Sequence, residues 1–107
     1  MSLIVHDVAL DLIRSLQPLM AGIARHDRSL AMQIRRAASS VALNIAEAQY
    51  SDPGTKRSRF HSAAGSAAET RSALQVAVAW RYLDGKRTEQ SLALIDRVLR
   101  MLWPLTH

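Results

Sequence analysis

Two short rows of polar residues are the parts of this 107-residue chain whose types and spacing could do chemistry. Ser40, Asn44 and Glu47 fall at i, i+4 and i+7, and Ser62, Ser66 and Glu69 repeat that spacing downstream. On a helix, each set lies along one face. Two carboxylates on neighbouring helices are the raw material of acid–base catalysis or of a carboxylate metal centre. Both chemistries need partners. Di-iron bundles use Glu-x-x-His on two helices, but Tyr50 and Ser72 stand where the histidines would be. His6, His26, His61 and His107 are scattered, with no HExxH and no paired ligand spacing. A glycine-rich phosphate loop and a nucleophile elbow are also missing. We therefore expect no catalytic residue, no cofactor and no metal. Ser40, Asn44, Glu47, Ser66 and Glu69 are read instead as a structural polar network. An unpaired buried polar group costs about 1–3 kcal/mol, so these side chains must bond to one another, to an arginine or to water. Arg36 reaches Ser40 at i+4, and Arg71 is placed to meet a carboxylate of a neighbouring helix.

The rows require helices to carry them. Ile34, Ala37, Ala38, Val41 and Ile45 line the face beside the first row. Val5, Val8, Leu12, Leu16, Leu19 and Ile23 recur at threes and fours and predict a first helix over about 3–25. Pro18 lies inside it and predicts a kink near Arg14–Gln17. Asp27 or Ser29 is expected to cap a second helix, about 29–50. Ser51-Asp52-Pro53-Gly54 is a turn. A third helix is expected over about 55–83, ended by Asp84 and Gly85 with Gly85 in the left-handed position. Thr88 is expected to cap a fourth, about 88–103, which Pro104 stops. Loops this short force consecutive helices to run antiparallel. The expected fold is all-α, a single domain over 1–107, arranged as an up-down-up-down four-helix bundle.

Bulk composition limits the function. Apolar residues make up 49% and charged residues 21%, close to the soluble average. No apolar run approaches the ~20 residues of a spanning helix, so no membrane partner is expected. The first dozen residues carry Asp7 and Asp11 and do not read as a signal peptide. The absence of cysteine fits a cytoplasmic protein. No small-molecule substrate is expected. The net charge is +5 and the pI about 10.7, which favours an anionic partner. Arg25, Arg28, Arg35 and Arg36 form one basic cluster, and Lys56, Arg57 and Arg59 a second; both are candidate nucleic-acid contacts. The second opens a helix, where basic side chains oppose the macrodipole and gain nothing locally. With one Phe and two Tyr, a base-stacking platform is hard to build, so backbone or shape recognition is expected.

Self-association has its own signals. Gly65 sits among Ala63, Ala64, Ser66, Ala67 and Ala68 and costs about 1 kcal/mol relative to alanine. Close approach of another helix would offset that cost, either inside the bundle or between subunits. On the fourth helix, Leu92, Ile95, Leu99 and Leu102 form one apolar row, and Leu94, Val98, Met101 and Leu105 a second. The double stripe is wider than a monomer's surface helix usually buries. Gly65, Leu94, Val98, Leu99, Met101, Leu102 and Trp103 are the candidate oligomer interface, with Trp80 and Tyr82 as further anchors.

The segments QIRRAA, Ser40 and NIAE at Asn44–Glu47, then Phe60, AAGSAAE at Ala63–Glu69 and Leu74, resemble the bacterial four helix bundle family. Its members are also described as 23S ribosomal RNA intervening-sequence proteins. The similarity covers the second and third helices well and the outer two by pattern. It implies a ring-shaped homopentamer. A related bundle, the accessory variability protein of diversity-generating retroelements, works with a reverse transcriptase and nucleic acid, which implies RNA contact. Two departures stand out. Ala48 replaces the family's usual glycine, with no basic residue following in Gln49-Tyr50-Ser51, and Pro18 lies upstream of the proline usual before the second helix. The expected function is a non-enzymatic homo-oligomeric scaffold. The alternative is a basic oligomer that contacts structured RNA or an RNA–protein complex through its Arg/Lys clusters.

Overall fold

The computed structural model describes residues 2–107, with side chains from Ile4 onward. It contains α1 (Ser2–His26), α2 (Arg28–Ala48), α3 (Pro53–Ala79) and α4 (Glu89–Thr106), with a short 3-10 turn at Gly85–Thr88. No strand occurs among the described residues. The molecule measures 42 × 22 × 20 Å. A 27-residue helix is about 40 Å long, so the helices run along the long axis and the chain reverses at each turn. Each helix packs on two others, α1 and α3 each touching both α2 and α4. The expected four-helix bundle is present.

The apolar rows turn inward as their spacing predicts. Leu12 and Ile23 of α1, Ile34, Val41 and Ile45 of α2, Leu74 of α3 and Ile95 of α4 are fully buried. The α2–α3 pair is the most extensive, and the buried residues of these two helices are largely alanines, including Ala37, Ala48, Ala63 and Ala67. Small side chains let two backbones approach closely.

Helix ends follow local chemistry. Asp27 caps α2, its Oδ1 accepting from the Leu30 N–H at 2.9 Å, and is the only residue between α1 and α2. Asp52 caps α3 by accepting from the Thr55 N–H at 3.0 Å, with Pro53 in the first helical position. Elsewhere the expected boundaries move. α3 stops at Ala79, because Arg81 takes the left-handed conformation at φ 63°. The Tyr82 N–H then bonds the Ala77 carbonyl and the Arg81 N–H bonds that of Val78, both at 2.9 Å. These bonds form a Schellman cap. Gly85 is therefore not the left-handed residue; no glycine has positive φ among the described residues. Thr88 does not cap α4, since its hydroxyl donates back to the Gly85 carbonyl at 2.6 Å. Nor does Pro104 stop α4. Its missing N–H removes one bond, while the His107 N–H still reaches the Trp103 carbonyl at 3.1 Å. α1 stays helical through Pro18.

Candidate functional site

The polar rows meet along the α2–α3 seam. Ser66 Oγ donates to Ser40 Oγ at 2.8 Å, and the Asn44 side-chain amide donates to both Ser40 Oγ and the Ser40 carbonyl at 2.9 Å. All three side chains are half-buried. One row ends at Glu47, which pairs with Arg59 of α3 at 3.1 Å. In both cross-seam pairs a step forward on α2 matches a step back on α3, as antiparallel helices require. Equal spacing on opposed helices sends the two carboxylates to opposite ends. Glu47 is level with Arg59, ten positions before Glu69 on α3, so the carboxylates stand about 15 Å apart along the axis. Glu69 is exposed and borders a shallow depression with Arg28, Met32 and Arg36.

The expected network thus holds its hydroxyl–amide part and not its carboxylates. Glu47 and Glu69 are solvated, and Glu69 forms no salt bridge among the described residues. Ser40 bonds to Asn44 and Ser66 rather than to Arg36. Arg71 does meet a carboxylate, Asp96 of α4, at 3.0 Å. No group of three metal-ligating side chains occurs among the described residues.

The two basic clusters differ. Arg25, Arg28, Arg35 and Arg36 are exposed and form no salt bridge among the described residues. The second cluster does gain contacts. Arg59 holds Glu47, and Arg57 donates to the Thr106 carbonyl at 3.2 Å, satisfying the C-terminus of α4. Lys56 is the half-buried remainder.

The interface candidates separate by burial. Val98 and Leu102 are fully buried in the subunit's own core, so they line no surface. Leu94, Leu99 and Met101 are partly buried against that core, which absorbs most of the second apolar row. Trp103 remains exposed and stacks on His107. Gly65 is exposed, and a Cβ there would meet nothing within 4 Å. It therefore faces outward from the subunit, contrary to the bundle-interior expectation.

One polar contact had no signal in the sequence. Ser15 and Ser91 bridge α1 and α4 at 2.7 Å, with Ser91 buried. Lone serines on separate helices carry no periodic pattern.

A family model described as 23S rRNA-intervening sequence protein matches residues 1–103 of the chain. No curated protein matches it. Among solved structures, it is similar to a protein of unknown function from the S23 ribosomal protein family of Bacteroides thetaiotaomicron VPI-5482. The TM-score is 0.85 at 20% identity, covering 95% of this chain and 97% of that one. At that identity the likeness concerns the fold alone.

Proposed function

The chain belongs to the 23S rRNA-intervening sequence protein family, and from that premise we propose that it acts as a homo-oligomeric scaffold, not as an enzyme. The observation that carries this reading is Gly65. A glycine in a helix interior costs about 1 kcal/mol relative to alanine, and nothing in the subunit offsets it. Ser58, Ser62, Ala68 and Ser72 are exposed on the same face of α3, interrupted by His61 and Glu69. A neighbouring helix can seat its backbone there. Large exposed apolar side chains such as Leu43 and Trp103 can serve as the matching knobs in a head-to-tail contact. A contact of that kind gives a ring where its rotation closes, and the family resemblance favours closure with five members. The separation of Glu47 from Glu69 supports a non-catalytic role, because the two carboxylates do not converge on one substrate. The absence of cysteine supports a cytoplasmic location for this role.

Native mass spectrometry of the wild type and of Gly65→Arg tests the proposal. The variant is expected to lose oligomeric mass while keeping its helical circular dichroism, since the position is exposed and a Cβ there meets nothing within 4 Å. A monomeric wild type, or an unchanged mass in Gly65→Arg, would overturn it.

A further inference from the structure

We propose that the end of the bundle formed by the α1–α2 and α3–α4 turns is a binding site for single-stranded nucleic acid. It does not depend on oligomerisation. The fold brings the two turns together: His26, at the end of α1, stacks on Tyr82 with ring centroids 5.1 Å apart and planes 5° from parallel. Arg87 ties the second turn to α1 by donating to the Pro18 carbonyl at 3.4 Å.

Four cationic side chains collect there. Arg25 and Arg28 come from the first turn, and Arg81 and Lys86 from the second; all are exposed, and none forms a salt bridge among the described residues. Arg87 lies about 12 Å down α1, at Pro18. Three carboxylates share this end. Asp27 and Asp84 are occupied as caps, accepting from the Leu30 and Lys86 N–H groups, and Glu89 opens α4. Beside Arg81 stands Trp80, 67% exposed and in no aromatic stack among the described residues. An exposed indole next to Arg81 in the chain stacks a base while the cations at this end hold phosphates. Counting aromatics by composition conceals this arrangement, which depends on where one tryptophan lies.

Arg81 supplies a separate reason. It occupies a left-handed position where glycine would be relaxed, at a cost of about 1–2 kcal/mol. Local backbone strain of this kind concentrates at functional sites. Arg81 directly follows Trp80, and both are exposed. From Arg28 a groove of about 350 Å³ runs between α1 and α2. Arg28 and Arg35 stand on its wall, and Met20, Ala24 and Ala31 contribute apolar surface. A strand crossing the end can continue along it. Duplexes hide their base faces and gain nothing from Trp80, so the single strand is the fitting ligand.

The test is a fluorescence titration of the full chain in a Trp103→Phe background, which leaves Trp80 as the only indole. The probes are poly-U RNA and poly-dT of about a dozen nucleotides, a duplex RNA of that length, and heparin. We expect either or both single strands to quench Trp80 and to bind more tightly than duplex or heparin; the tighter of the two identifies RNA or DNA as the source. Trp80→Ala is expected to weaken single-strand binding about tenfold. Arg81→Gln with Lys86→Gln should make the log–log salt slope shallower by about 0.7 per charge removed. Arg97→Gln with Arg100→Gln, which removes equal charge from the body of α4, should leave both unchanged. Four results would overturn the proposal: unquenched Trp80, preference for duplex or heparin, equal loss in the α4 control, or a Trp80→Ala variant that binds single strands as tightly as its background.

Discussion

Ser40 Oγ and Ser66 Oγ lie 2.8 Å apart across the α2–α3 seam, although 26 residues separate them in sequence. Ser40 also accepts from the Asn44 amide, so it is the hub of the cluster. Ser66→Ala removes one bond and is expected to cost about 1 kcal/mol. Ser40→Ala removes two side-chain bonds, while Asn44 keeps its bond to the Ser40 carbonyl, and should cost about 1–3 kcal/mol. Because the two residues share a bond, the double variant should lose less than the separate losses combined. Urea denaturation of the four proteins in the cycle measures the coupling, and strict additivity would count against a shared network.

Arg81 is expected to be a point of stored strain. Arg81→Gly relaxes the left-handed backbone and should stabilise the protein by about 0.5–1 kcal/mol, the gain being reduced by glycine's greater unfolded-state entropy. Arg81→Val places a β-branched side chain at positive φ and should destabilise it by more than that. The order Gly above Arg above Val in melting temperature is the expected outcome, and a Val variant as stable as wild type would contradict it. If the bundle end binds nucleic acid, the Gly variant gains stability as it loses affinity.

The capping carboxylate of Asp52 gives a pH signature. The Thr55 N–H and then the Thr55 hydroxyl, both at 3.0 Å, hold its pKa below the ordinary value. A depressed folded-state pKa means that the stabilisation is complete above the ordinary carboxylate range. It is lost as pH falls through the depressed value, below about pH 4. Asp52→Asn retains a capping oxygen without a titrating group. Its melting temperature should fall less steeply with acid than that of wild type. Parallel acid limbs in the two proteins would exclude a contribution from this cap.

What could be read from the sequence depended on periodicity. Leu12, Ile23, Ile34, Ile45 and Ile95 sit at helical spacing and are buried where that spacing places them. Asp27 fulfils an Asp-at-the-cap signal. The failures came from contacts that periodicity does not encode. The matched rows ending in Glu47 and Glu69 look alike in sequence, but only the antiparallel register reveals that they point to opposite ends. Arg57 and Arg59 read as a free basic cluster until the fold brings Thr106 and Glu47 within reach. Gly85 carried the stronger stop signal, yet Arg81 ended α3 because a Schellman cap is set by backbone bonds that other residues can also make. The site at the bundle end was hidden because its residues lie in two turns more than fifty positions apart.

Leu102 and Gly65 separate core from interface most directly. Leu102 is 0% exposed, so Leu102→Ala leaves a cavity and should cost about 2–5 kcal/mol. Any loss of oligomer in that variant should coincide with loss of helical signal, since the residue reaches no neighbouring subunit. Gly65→Ala behaves in the opposite sense. In a monomeric background it should raise stability by about 1 kcal/mol, because the new methyl meets nothing within 4 Å and alanine is the better helix former. In the assembled protein the same methyl occupies the proposed seat of a neighbouring helix and should weaken assembly. Chemical denaturation at several protein concentrations resolves the two effects, since only the second depends on concentration. A Gly65→Ala variant that is stabilised equally at every concentration would leave the glycine without an interface role and Leu102 as part of a self-sufficient monomer.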